Sequence, residues 1–268
     1  MIVQSPLLIF VAVVSAFFVG LSKGGLPTVG NLAVPLLALV ISPVAAAALL
    51  LPIYVASDMV GLALYRRTFS KRNLAILVPS SLVGVLIGWA VSSRLSSEFV
   101  GMMVGIVGVA FCLNKWIWSR NRSPARGTIP AGLFWGAMTG ITSFVSHSGG
   151  PTFQIYVLPQ YLQKMTFAGT STILFAILNA AKIVPYWEMG QFTGIDMTIA
   201  LWLAPSAGLG TMLGKRLTEI LPEKVFFRVI EVTLLLISAK LIADYVLTGL
   251  IPASALSDLV WFLNKTRI

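Results

Sequence analysis

Apolar residues run through this chain in blocks of helical length. Crossing a bilayer takes about 20 residues, within a range of roughly 17–25. Six blocks are that long: residues 44–65, 74–91, 99–118, 167–187, 195–213 and 226–247. Two further places read differently. Residues 6–21 are followed, after Ser-Lys-Gly-Gly, by the short apolar run 29–41, and residues 129–145 are followed, after Ser-His-Ser-Gly-Gly, by the shorter run 153–162. These second members are too brief to cross comfortably. Their pattern predicts broken or re-entrant helices, which a membrane tolerates where protein buries the backbone or a cavity adjoins it. The tail 253–263, with Asp258 and Trp261, is read either as an interfacial segment or as part of a further span.

The pattern repeats. "PSSLVGVLIG" (79–88) matches "PSAGLGTMLG" (205–214), and the two Gly-Gly breaks stand about as far apart as these segments do. Helices 44–65 and 167–187 fall between break and segment in each half, and each ends close to a tyrosine, Tyr65 and Tyr186. One transmembrane domain is therefore expected. It comprises a first repeat over about 1–118, a basic linker 119–128, a second repeat over about 129–247 and a tail 248–268. Gly84/Gly88 and Gly210/Gly214 have the small-xxx-small spacing of close helix packing.

Loop charge sets the orientation. Arg66, Arg67, Lys71 and Arg72 follow the third segment, whereas its counterpart "EMGQFTGID" carries Glu188 and Asp196 and no positive residue. Lys and Arg collect on the cytoplasmic side. The next pair swaps: "RLSSE" is nearly neutral, while its counterpart carries Lys215, Arg216 and Lys224. Equivalent loops thus face opposite sides, the mark of an inverted-topology repeat. Loop charge does not decide whether the short segments cross or re-enter, and either way the N-terminus is predicted to be external.

Composition narrows the class. Of 268 residues 57% are hydrophobic and 10% charged, against about 25% charged in soluble domains, so the chain is read as an all-α polytopic membrane protein. The net charge of +10 resides in short loops, which argues against a nucleic-acid partner. Cys112 is the sole cysteine, so neither a disulfide framework nor a cysteine metal site is expected. A lone histidine gives no zinc spacing, and no Walker A motif points to ATP. The N-terminus lacks the positive region of a signal peptide and is read as part of the first helix.

The candidate chemistry gathers at the breaks. The first N–H groups of a helix have no intrahelical partner, and the helix dipole is positive there. Gly24, Gly25 and Pro27 are expected to open one short helix and Gly149, Gly150 and Pro151 the other, with Ser22, Thr28, Ser148 and Thr152 adding hydroxyls. Two such ends facing each other would cradle a small oxyanion; alternatively the glycines serve only tight turns and packing. Ionisable groups inside spans are costly and mark function by default. Lys182, with Asn179 on the same helical face and Thr170, Ser171 and Thr172 further back, reads either as an anion contact or as a lysine snorkelling to the interface. Asp58 is a candidate partner for Lys182, Lys23 or an arginine, or a carrier of a coupling proton. Lys23 is otherwise an ordinary loop charge. His147 reads as a proton switch or as a hydrogen-bonded structural residue.

"GLSKGGLPTVGNLAVPLLAL", "PSSLVGVLIG", "SHSGGPTFQIYVLP" and "FAGTSTILFAILNAAK" together resemble the sulfite exporter TauE/SafE family, also called the toluene sulfonate uptake permease family, over about residues 5–245. The resemblance implies movement of sulfite, organosulfonates and related anions across a bacterial cytoplasmic (inner) membrane, with family features falling on Gly169–Thr170–Ser171, Asn179 and Lys182. The first half departs from the family pattern: "AAAALLLPIYVASDM" lacks a Thr-Ser pair and has Tyr54, Ser57 and Asp58. The expectation is a secondary transporter of a small sulfur oxyanion, working by alternating access as the two halves rock, in the export direction. No cofactor and no metal are expected. Its partners are the anion and the lipid bilayer; monomer or homodimer is left open. Proton-coupled uptake through Asp58 or His147 is the alternative. An intramembrane enzyme using His147 and a non-transporting assembly factor are lesser readings.

Overall fold

The structure is a computed structural model that describes residues 6–27, 29–92, 97–118, 127–145, 147–193 and 197–250. Residues 119–126 of the charged linker, the 93–96 loop, Asp196 and residues 251–268 of the C-terminal tail, on which some of the expectations above rest, lie outside the described residues, as does Thr28.

The apolar blocks fold as the pattern predicts. In chain order they are α1 (Pro6–Lys23), a 3-10 turn (Val29–Leu32), the one-turn α2 (Ala33–Leu37), α3 (Pro43–Tyr65), α4 (Lys71–Val91), α5 (Ser97–Trp118), α6 (Ile129–Val145), α7 (Gly149–Val157) with a 3-10 turn (Leu158–Gln160), α8 (Lys164–Glu188), α9 (Met197–Ile220) and α10 (Glu223–Leu250). Among the described residues there is no strand. Polar side chains mark several boundaries. Ser42 Oγ accepts from Ala45 N at 3.3 Å with Pro43 in the first turn, and Ser70 Oγ accepts from Asn73 N at the same distance, the expected chemistry of a helix start. Lys164 Nζ donates to the carbonyls of Glu219 and Leu221 at 2.7 and 2.6 Å and so closes the end of α9, where the dipole favours a cation.

α1, α3 (over Ala45–Tyr65), α4 and α8 are long and apolar enough to cross a membrane. α6 and residues 101–113 of α5 are shorter apolar helices. α9 and α10 reach comparable length, and α10 carries more charge than any of these. Phe10, Leu86, Phe134, Trp187, Trp202 and Leu209 are exposed on the outer surface. Large apolar groups in that number have no place facing water; against hydrocarbon they cost nothing.

The helices of the two sequence halves interlock. α1 packs along α9, α4 along α6, α5 along α10 and α3 along α8. Glycine makes the first two pairs close: a Cβ on Gly20 would overlap the carbonyl of Ala207, and one on Gly84 that of Ala137. Both pairs run parallel, since Gly20 and Gly24 meet successive turns of α9 at Ala207 and Thr211, and Gly84 and Gly88 meet α6 at Ala137 and Ile141. The other two pairs run antiparallel. In α3 and α8, Asp58 meets Asn179, Gly61 meets Thr172 and Tyr65 meets Gly169. In α5 and α10, Gly101 meets Leu241, Gly108 meets Ser238 and Cys112 meets Glu231. Exchanging the halves maps this set of pairings onto itself.

Candidate functional site

The breaks after α1 and α6 look alike in sequence and fold differently. At the first, Gly25 N donates to Ser22 O and Leu26 N donates to Leu21 O, while Gly25 takes φ 120. That is the glycine closure of a helix C-terminus. The expectation that Gly24 and Gly25 open a helix is therefore corrected: they finish α1, and their N–H groups bond back to it. The Gly24 carbonyl accepts from Tyr65 Oη at 2.5 Å and from Thr218 Oγ1 at 3.1 Å. At the second break, Gly149 and Gly150 form the first turn of α7, Pro151 follows within that turn, and no side chain caps it. This break is a true helix N-terminus, with amides that have no intrahelical acceptor.

The two breaks face one another across a cavity of about 40 Å³. Ser22, Lys23, Pro27, Gly30 and Asn31 line it from the first half, and Ser143, His147 and Gly149 from the second. Tyr54 of α3 and Ser171, Thr172, Phe175, Asn179 and Lys182 of α8 complete the wall. A Cβ on Gly150 would stand 3.1 Å from Asn31 Nδ2, a tight contact that glycine spares where the amide of one half approaches the helix start of the other.

Charge sits at the crossing of α3 and α8. Lys23 Nζ lies 2.7 Å from Asp58 Oδ1, and Asn179 Nδ2 donates to Asp58 Oδ2 at 2.8 Å. Lys23 also stands over the Tyr54 ring, 5.1 Å from its centroid. Both charged groups are buried, and the ion pair with Lys23 and the hydrogen bond from Asn179 offset the cost of burying the carboxylate. Asp58 thus takes Lys23 from among the partners considered, and Lys23 is no loop charge. Asn179, on the same helical face as Lys182, holds Asp58 instead. Lys182 is 2% exposed, which excludes snorkelling. Among the described residues no carboxylate lies within ion-pair distance of it.

The hydroxyls divide in the same way. Ser22 donates to Val19 O, Thr152 to Gly149 O, Thr170 to Thr166 O and Thr172 to Lys23 O, at 2.6–3.0 Å. Thr170 also accepts from Ser70 N and lies off the cavity wall, as do Gly24, Gly25, Ser148, Gly150 and Thr152. Ser171 Oγ and Asn31 Nδ2 are buried on the wall without a hydrogen-bond partner among the described residues. His147 Nε2 meets Tyr186 Oη at 2.6 Å, and its backbone is left-handed at φ 53. Asn31 and Ser143 were not foreseen from sequence. For Asn31 the signal was there: an amide inside an otherwise apolar run.

Residues 9–241 match the family model for the sulfite exporter TauE/SafE. The chain belongs to this family. TauE/SafE proteins are membrane transporters of sulfur-containing anions, and the apolar helices fit that role. No curated protein and no solved structure matches the chain. The cavity of this TauE/SafE chain is lined by a buried lysine with no carboxylate within ion-pair distance, by two donors without a hydrogen-bond partner, both statements being of the described residues, and by a helix N-terminus. Among the described residues no cluster of His, Cys, Asp and Glu has the makings of a metal site.

Proposed function

We propose that this TauE/SafE chain exports a small sulfur oxyanion, sulfite or a short organosulfonate, by alternating access around the cavity between the two breaks. The observation that carries the reading is the buried Lys182 side chain sharing one cavity with Ser171 Oγ and Asn31 Nδ2, neither of which has a hydrogen-bond partner among the described residues. Groups of this kind are stable together in a low-dielectric interior when an anion answers them. Lys182 supplies the charge, Ser171 and Asn31 donate to the anion oxygens, and the first amides of α7 add the positive end of a helix dipole. The Lys23–Asp58–Asn179 cluster holds α3 against α8 at the level of the site.

Water needs about 10–15 Å³ of such space, so a cavity of about 40 Å³ suits a tetrahedral or pyramidal head rather than a long organic anion. An anion leaving a cell that is negative inside moves down the potential, by about 2.3 kcal/mol per charge per 100 mV. Export thus needs no proton carrier. The engagement of both Asp58 oxygens favours this over the proton-coupled uptake reading.

We further propose an inverted repeat in a bacterial cytoplasmic membrane, with the N-terminus outside. Supporting it are the antiparallel course of α3 with α8 and of α5 with α10, which is how equivalent helices run when two halves are inverted. The moving bodies are then not the halves. The glycine-packed pairs α1/α9 and α4/α6 each combine a helix from either half, and these pairs swing about the α3/α8 crossing. Thermal unfolding of the purified protein with sulfite, methanesulfonate, taurine and acetate tests the assignment, because specific binding raises stability by mass action. Sulfite or a sulfonate should shift the transition and acetate should not, and Lys182→Gln should abolish the shift. A Lys182→Gln protein that responds as wild type does would remove the site.

A further inference from the structure

We infer that the site selects anions bearing a single negative charge, and that Asp58 is the residue that sets this selectivity. The inference rests on the cavity being the anion site. Three charged side chains lie in or against it. Lys23 and Asp58 are paired at 2.7 Å and sum to zero. Lys182 is buried with no carboxylate beside it among the described residues. The two helix ends at the cavity carry opposite partial charges: α1 presents its C-terminal, negative end through Ser22 and Lys23, and α7 its N-terminal, positive end at Gly149. These offset one another, and a protonated Lys182 gives the site the charge of one lysine.

One monoanion, hydrogensulfite or a sulfonate, brings that total to neutrality. A dianion of the same shape leaves a full negative charge among buried groups, where an uncompensated charge is heavily penalised. Without Asp58, Lys23 would join Lys182 and the site would carry two positive charges, matched to a dianion. The carboxylate thus acts at a distance from the ligand, by silencing one of two lysines. Its seat is fixed by Asn179 Nδ2 at 2.8 Å, so the silencing is built into the α3/α8 crossing. The rings of Tyr54 and Phe175 on the same wall give a methyl group an apolar surface that a fourth charged oxygen lacks.

The test compares methanesulfonate with sulfate, tetrahedral ions of similar size that differ by one charge. Binding is measured by titration calorimetry on the purified full-length protein at about pH 6, far below the ordinary range of a lysine, so that Lys182 carries its charge. Wild type should bind methanesulfonate at least about tenfold more tightly than sulfate. Asp58→Asn, which keeps the shape of the side chain while freeing Lys23, should move the ratio towards sulfate by about tenfold or more. The double variant Lys23→Met with Asp58→Asn should return it to the wild-type value. A wild-type protein that binds sulfate as tightly as methanesulfonate overturns the inference, even where Asp58→Asn does not fold. An unchanged ratio in folded Asp58→Asn overturns it too. If Lys182→Gln binds both ions as wild type does, the cavity itself is misassigned and the charge argument falls with it.

Discussion

Tyr186 and His147 meet at 2.6 Å, phenol oxygen to imidazole Nε2, and the contact ties the end of α8 to the break after α6. Tyr65, in the matching place on α3, ties the other break through the Gly24 carbonyl. The two ties differ in what they leave behind when cut. Gly24 O keeps a second donor in Thr218, so Tyr65→Phe should cost about 0.5–1.5 kcal/mol, the net worth of one hydrogen bond. Tyr186→Phe leaves a ring nitrogen of the half-buried His147 without its partner and should cost about 1–3 kcal/mol. Thermal unfolding of both variants in one detergent compares them; equal losses would mean that the imidazole finds another partner.

Glycine at the helix contacts makes a sharper contrast. Gly20→Ala drives a methyl group into the Ala207 carbonyl, and backbone cannot yield as a side chain does. A loss of about 1–3 kcal/mol is expected, seen as lower yield of monodisperse protein and an earlier unfolding transition. Gly208→Ala, on α9, meets nothing within 4 Å. There the helix should gain about 0.5–1 kcal/mol from the stiffer residue.

Gln154 on α7 is fully buried, and neither amide atom has a hydrogen-bond partner among the described residues. An unmet buried amide costs about 1–3 kcal/mol, so Gln154→Met should raise the unfolding temperature. Measured alongside anion flux in proteoliposomes, the variant separates two roles. Higher stability with slower flux means that the amide serves the passage of the anion. Higher stability with unchanged flux leaves it a packing residue.

Orientation is open to direct labelling. In a Cys112→Ser background, Arg67→Cys and Thr193→Cys place single thiols on exposed positions beyond the ends of α3 and α8. A membrane-impermeant maleimide should reach Thr193→Cys in intact cells and Arg67→Cys only after permeabilisation. Labelling of both from one side would contradict the inverted arrangement.

The helices were legible because apolar runs of fixed length have few other fates in a chain so poor in charge. The two breaks were legible as breaks, but not as opposites. The difference lies in one residue. Pro151 directly follows Gly150 and stands in the first turn of α7, where a missing N–H is harmless. In the first half Leu26 intervenes before Pro27, and its N–H returns to Leu21 to complete the closure of α1. Lys182 and Asn179 were legible as polar groups in a span. Their partners were not, because Asn179 reaches Asp58 across 121 positions of sequence, and no local pattern records which distant carboxylate a buried amide will meet.

The pairing of α1 with α9 and of α4 with α6 bears on biogenesis. When the ribosome has delivered only the first half, Gly20 and Gly24 line a groove whose filler has yet to be synthesised. α1 then waits in lipid until some 190 further residues have followed it and α9 arrives. The protein therefore assembles by lateral docking of helices already inserted, late in its synthesis. A premature stop anywhere before α9 leaves membrane-embedded fragments with open seams, natural prey for quality-control proteases.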